Sequence, residues 1–176
     1  LFLDYHYGNE AASDYVIGTR DGISNSSPMI GPYGVNKRGS DLYTKGANLL
    51  HTLRQIAKDD EIWRMILRGL NSEFYHQTVD TKQIEEFISS KIGFDLTTFF
   101  DQYLRDIRIP NLEYSISDGL LTYRWIDVID DFTMPLEIEV LGENIWIYPT
   151  TKKKSIEINS DRIKIDRDYY VKSVKI

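Results

Sequence analysis

The apolar residues of this chain change their period at Pro110-Asn111. Before that point they recur every three to four residues, as on one side of a helix. After it they alternate with period two, as on one face of a strand. A segment cannot satisfy both patterns, so the chain divides into two parts. The expected fold is α+β: a helical bundle over residues 1–110, followed by a small all-β sandwich over residues 111–176.

In the first part, Glu10 to Gly22 carries Ala11, Tyr15 and Ile17-Gly18 near helical spacing. Ser24 to Ser40 reads as a long loop, through Gly31-Pro32-Tyr33-Gly34 and Arg38-Gly39-Ser40. Long loops are usually functional or disordered, and this one could line a substrate cleft or form a rigid turn. Ser40 is a candidate N-cap for a helix whose apolar stripe is Leu42, Leu49, Leu50, Leu53 and Ile56. Asp59-Asp60 opens the next helix, with Trp63, Ile66, Leu67 and Leu70 facing inward. Asp80-Thr81-Lys82-Gln83 has the form of a capping box, ahead of Ile84, Phe87, Ile88 and Ile92, with Gly93 as the helix stop. Asp95 opens a short helix with Leu96, Phe99, Phe100, Tyr103 and Leu104.

In the second part seven short alternating runs follow, the first two joined at Asp118-Gly119. Asp-Gly between alternating runs is a strong hairpin signal. Seven such runs suit a two-sheet sandwich in which each sheet keeps one wet face.

Charge and composition exclude several functions. The net charge is −6, and residues 111–176 and the remainder each carry −3. A broad basic surface for nucleic acid is therefore not expected. No run of about 18 apolar residues is present, so no membrane-spanning helix is expected. Cysteine is absent, which removes disulfides, thiol nucleophiles and thiolate metal ligands. No phosphate-binding glycine loop occurs.

The segment with the most chemistry is Tyr43-Thr44-Lys45-Gly46-Ala47, at the start of the apolar helix. Tyr43 stands three positions after Ser40, near the positive end of the helix dipole. A phenol there could donate a hydrogen bond to a developing oxyanion, or be an ordinary half-buried aromatic. Lys45 could position the helix start or pair with a carboxylate. The acidic pairs Glu85-Glu86 and Asp130-Asp131 read as solvated faces, and Lys152-Lys153-Lys154 as a hairpin loop. His6, His51 and His76 are the only histidines, and none forms H-E-x-x-H. Each reads as a surface or capping residue. His51 lies eight positions beyond Tyr43, roughly 12 Å along the helix, and so does not share its site.

Tyr43-x-Lys45-Gly46-Ala47 resembles a landmark of the aminopeptidase-N-like zinc metallopeptidases (gluzincins). Asp60-Glu61-Ile62-Trp63 resembles the acidic and aromatic step that follows it in that family. Phe99-Phe100-Asp101-Gln102-Tyr103-Leu104 resembles Phe-Phe-x-Gln-Trp-Leu, with Tyr103 in place of Trp. Ile109-Pro110-Asn111-Leu112 resembles the entry into the β-sandwich, and Phe132-Thr133-Met134-Pro135-Leu136 a later strand. These matches run in order along nearly the whole chain. The resemblance implies a piece of a zinc aminopeptidase downstream of the metal motif: the rear helices of the catalytic domain, then a β-sandwich. It implies Tyr43 as the transition-state-stabilising residue and peptides as the parent's substrates. Zinc would belong to the parent, with no metal or cofactor held by these residues, and the chain alone would be inactive.

The alternatives are a non-catalytic scaffold that keeps only the peptidase architecture, and a helical-plus-β domain unrelated to peptidases. Because Leu1-Phe2-Leu3-Asp4-Tyr5 falls inside an amphipathic pattern, a longer parent is expected. An apolar face around Phe2, Leu3, Tyr7 and the Tyr43 helix would then lie open to self-association.

Overall fold

The computed structural model describes residues 2–31 and 41–176. The loop positions Pro32, Tyr33 and Gly34, the Arg38-Gly39-Ser40 segment and the Ser40 cap lie outside these residues. The expected α+β architecture is present, with helices first and two small sheets after them.

The helices are α1 (Phe2–Tyr7), α2 (Asn9–Gly18), α3 (Asp41–Ala57), α4 (Asp60–Glu73), α5 (Thr81–Ile92) and α6 (Thr97–Arg105). The helix expected over Glu10 to Gly22 is shorter, because α2 ends at Gly18. Gly8, with φ 87°, separates α1 from α2, and a 3₁₀ turn, Arg20–Gly22, follows α2. The face of α2 also differs from expectation. Ala12 and Ser13 are buried, whereas Ala11 and Tyr15 are exposed.

The expected caps form. The Asp59 carboxylate accepts from the Glu61 amide at 2.7 Å. Asp80 and Gln83 exchange hydrogen bonds of 2.8 and 2.9 Å in a complete capping box. Ahead of α6, Asp95 accepts from Thr97 N at 2.9 Å, although the N-cap position itself is Leu96, which makes no side-chain cap bond. Gly69 on α4 permits the close approach of α5: a Cβ there would stand 2.6 Å from Phe87 Cζ.

The strands are β1 (Asn111–Ser117), β2 (Leu120–Ile126), β3 (Leu136–Val140), β4 (Glu143–Ile147), β5 (Lys154–Glu157), β6 (Lys164–Ile165) and β7 (Lys172–Lys175). One sheet runs β5-β2-β1-β7 and the other β4-β3-β6. The β1–β2 hairpin turns on Asp118 and Gly119, both at positive φ. Leu141 and Gly142 repeat that geometry between β3 and β4. Both turns have the two left-handed central residues that suit the twist of a tight hairpin. β7 lies parallel to β1, the single parallel pairing among the described strands.

The period-two pattern sets the inner faces. Leu121, Tyr123 and Trp125 of β2 and Leu136, Ile138 and Val140 of β3 are all buried. Trp125 packs edge-on against Phe132, with ring centroids 5.8 Å apart. On the outer face, Glu113 and Arg124 pair across the hairpin at 2.6 Å. One core of buried residues extends from α3 and α6 into both sheets.

The junction between helices and sheets depends on α6 and the residues after it. Phe99, Phe100, Gln102 and Tyr103 are all buried. Gln102 accepts from Ile129 N at 2.7 Å and donates to Arg108 O at 2.9 Å. Tyr103 donates to Tyr170 O at 2.7 Å. A buried side chain with both ends bonded specifies one arrangement of the elements around it.

Candidate functional site at the start of α3

The first turn of α3 is fixed at its base. Asp41 accepts from Ser24 N at 2.9 Å and Asn25 N at 2.7 Å, one carboxylate oxygen each. Asn25 in turn donates to the Tyr170 hydroxyl at 3.0 Å. A carboxylate in the first helical turn is also favoured by the helix dipole.

Tyr43 projects from this turn with 82% of its surface exposed. Ala47 and Leu50 are exposed on the same stripe, at i+4 and i+7. The expectation of Leu50 as a core residue is therefore not met. Apart from the adjoining residues and the helix's own backbone, no described atom comes within 4 Å of a Cβ built on Gly46. The side of α3 bearing Tyr43, Gly46, Ala47 and Leu50 is thus an open face of mostly apolar character.

The opposite side of α3 is buried and unexpectedly polar. Lys45, Asn48, His51 and Thr52 are all buried. Asn48 accepts from Arg20 Nε at 2.7 Å and donates to Thr19 Oγ1 and Thr44 O, each at 3.0 Å. Thr52 donates to Asn48 O at 2.9 Å and accepts from Tyr170 N at 2.9 Å. The Arg20 guanidinium reaches Arg167 O at 2.8 Å and stands over the Tyr170 ring. Together these bonds tie α2, α3 and the segment between β6 and β7.

His51 belongs to this buried side, which corrects its reading as a surface or capping residue. Its Nε2 stands 3.2 Å from Asp168 Oδ1. Burial works against ionisation of Asp168, but the contact with His51, joined by Ser13 and Arg167, outweighs it and leaves the carboxyl below its ordinary range. Asp166 shows the other outcome, because burial there prevails and pushes its carboxyl up. Glu85 also departs from the solvated reading: it pairs with Arg105 at 2.7 Å.

Lys45 is 1% exposed, and its ammonium donates to the Asp106 carbonyl at 3.1 Å. Of the two roles left open for it, the contact made is with a backbone carbonyl rather than a carboxylate. Burial pushes its pKa down, against the pull of the Asp41 and Asp106 carboxylates.

Tyr43 and His51 stay apart, eight residues along α3, the first exposed and the second buried. His6 lies on α1 beside Phe2 and Tyr5, and His76 follows α4. Among the described residues no group of three His, Cys, Asp or Glu is placed to hold a metal ion. These residues do not fit a catalytic zinc, which needs three protein ligands and an open position, and no metal step is derived from them. No described helix is long and apolar enough to cross a membrane.

Sequence reading missed Asp41, Asn48 and Arg20 as organisers of the site. A signal was present. Lys45, Asn48 and Thr52 recur at i, i+3 and i+7, so one helix face carries a polar stripe beside the apolar one.

The order of helices followed by two small sheets is shared with part of a solved structure. The crystal structure of Legionella pneumophila aminopeptidase A in complex with aspartic acid matches this chain with a TM-score of 0.65 at 14% identity. The match covers 98% of this chain and 22% of that one, so the chain spans about a fifth of the length of the protein it resembles. At that identity the likeness is one of fold. No family model and no curated protein matches the chain.

Proposed function

We propose that these residues form part of a zinc-dependent aminopeptidase, in which Tyr43 stabilises the transition state of peptide hydrolysis. In this reading residues 1–110 complete the rear of the catalytic domain, residues 111–176 are the β-sandwich domain, and the zinc ligands lie elsewhere in the parent. The observation that carries the reading is the presentation of Tyr43. The residue stands 82% exposed on the first turn of a helix whose other side is locked into the core.

Attack of water on the scissile carbonyl places negative charge on its oxygen. A bound zinc would activate that water and polarise the carbonyl. The contribution of this chain is a single donor, the Tyr43 hydroxyl, presented from an anchored helix turn. A donor aimed before the charge develops needs little reorganisation when it forms.

The test is Tyr43→Phe in the longer polypeptide that carries this chain, assayed on peptides with a free N-terminus. The expected result is a fall in kcat of about 10²–10³-fold with a much smaller change in KM. An unchanged kcat removes Tyr43 from the mechanism. If the parent shows no peptidase activity, the enzyme reading gives way to that of a scaffold with peptidase architecture. For the 176-residue chain itself, the expectation is no hydrolysis and no stoichiometric zinc.

A further inference from the structure

We propose that Lys45 is a positioning residue for Tyr43: its buried ammonium holds the first turn of α3 against the Asp106 carbonyl, and so sets the direction from which the phenol projects. The inference rests on the role proposed for Tyr43 and adds to it the part that aims the side chain.

The starting observation is the cost of the arrangement. A lysine ammonium is rarely buried without a carboxylate partner, because desolvation of the charge is expensive. Here the group is 1% exposed, and among the described residues it makes one hydrogen bond, to Asp106 O at 3.1 Å, and no ion pair. An apolar side chain of the same length would pack there at lower cost. What lysine adds is a directional tether.

The far end of that tether is itself fixed. The Asp106 carboxylate accepts from Arg108 N at 2.7 Å, Arg108 Nε at 3.0 Å and Arg108 Nη2 at 2.8 Å. Gln102, fully buried, donates to Arg108 O at 2.9 Å. The segment after α6 is therefore braced on both sides of the carbonyl that Lys45 holds. Together with the two bonds made by Asp41 to Ser24 N and Asn25 N, the tether gives the first turn of α3 two independent anchors.

Helix geometry carries the effect to Tyr43. Residues two apart lie about 200° apart around the axis. Pulling Lys45 inward therefore turns Tyr43 outward, and a slack first turn would let the phenol swing. An oxyanion donor displaced by about 1 Å can cost on the order of a hundredfold in rate. The nearby Asp41 and Asp106 carboxylates help to keep the ammonium charged in this site.

The test combines kinetics with hydrogen exchange. In the active parent, Lys45→Met should lower kcat by roughly 10-fold or more while KM moves less than about 2-fold. In a Tyr43→Phe background the same substitution should cost less than about 2-fold, because a group that acts through Tyr43 has nothing left to aim. In the 176-residue chain, amides 43–48 should exchange about 10-fold faster in Lys45→Met, with amides 52–57 unchanged. Lys45→Arg, which keeps a charged donor, should recover most of both losses, and it serves as the readout if the Met variant does not fold.

Equal costs of Lys45→Met with and without Tyr43 would overturn the proposal, since they show a general structural role. So would unchanged exchange at the first turn. If Tyr43→Phe alone leaves kcat unchanged, the role of Tyr43 falls, and the exchange data still decide whether Lys45 anchors the turn.

Discussion

Tyr103→Phe removes one oxygen atom from the junction between helices and sheets. The Tyr103 side chain is 0% exposed, and its hydroxyl donates to Tyr170 O at 2.7 Å. Phenylalanine fills nearly the same volume, so no sizeable cavity opens and the ring contacts with Phe99 and Tyr170 persist. The loss falls on the Tyr170 carbonyl, which is left buried without its donor. An unsatisfied buried acceptor costs about 1–3 kcal/mol, part of which the more apolar ring offsets. A net loss of about 1–2 kcal/mol, at about 2–4 °C per kcal/mol for a chain of this size, lowers Tm by about 2–8 °C. Thermal unfolding followed by circular dichroism measures it, with Tyr75→Phe, at an exposed position, as the control that stays within about 0.5 kcal/mol. A Tm for Tyr103→Phe equal to or above that of the unaltered protein would refute the reasoning. It would mean that the hydrogen bond contributes nothing to joining the two parts.

Asp80→Ala removes the N-terminal half of a complete capping box and should destabilise by about 1 kcal/mol in urea unfolding; no change would mean that α5 is held by packing alone. The carboxyls of Asp60, Asp95, Asp106 and Asp168 all sit below their ordinary range in the folded protein, while burial raises Asp166 alone among the aspartates. Near and below pH 4 the unfolded chain therefore binds more protons than the folded one, so stability should fall as pH drops from about 4 toward 2; a flat urea midpoint over that range would contradict this. Phe2, Tyr5, Tyr7, Tyr15 and Tyr43 are all exposed large apolar side chains, and together they should drive concentration-dependent association in sedimentation experiments, which Tyr5→Lys should weaken; a monomer at all concentrations would count against it.

Local chemistry was readable wherever neighbours in sequence are also partners. Asp59, Asp80 with Gln83, Asp95 and Gly93 bond to residues within four positions, so each signal lies within one turn. Asp118-Gly119 is legible for the same reason, since the two residues of the turn set the hairpin between them. Leu141-Gly142 has the same geometry but a weaker signature, because leucine at positive φ gives no sequence warning.

The buried side of α3 was the opposite case. Lys45, Asn48 and His51 find their partners 61, 28 and 117 positions away, at Asp106, Arg20 and Asp168. A polar residue on an apolar helix reads as solvent-facing until the fold brings a partner to it. For that reason His51 was expected at the surface and Leu50 in the core, and the structure reverses both.

The sequence alone determined the two-part architecture, the strands and helices, and the resemblance that singled out Tyr43, because these depend on periodicity and on residues close in the chain. Only the tertiary structure decided which side of α3 turns inward. That choice is set by long-range hydrogen bonds between groups that cannot be buried unpaired, and it leaves Tyr43 facing out and Lys45 held beneath it.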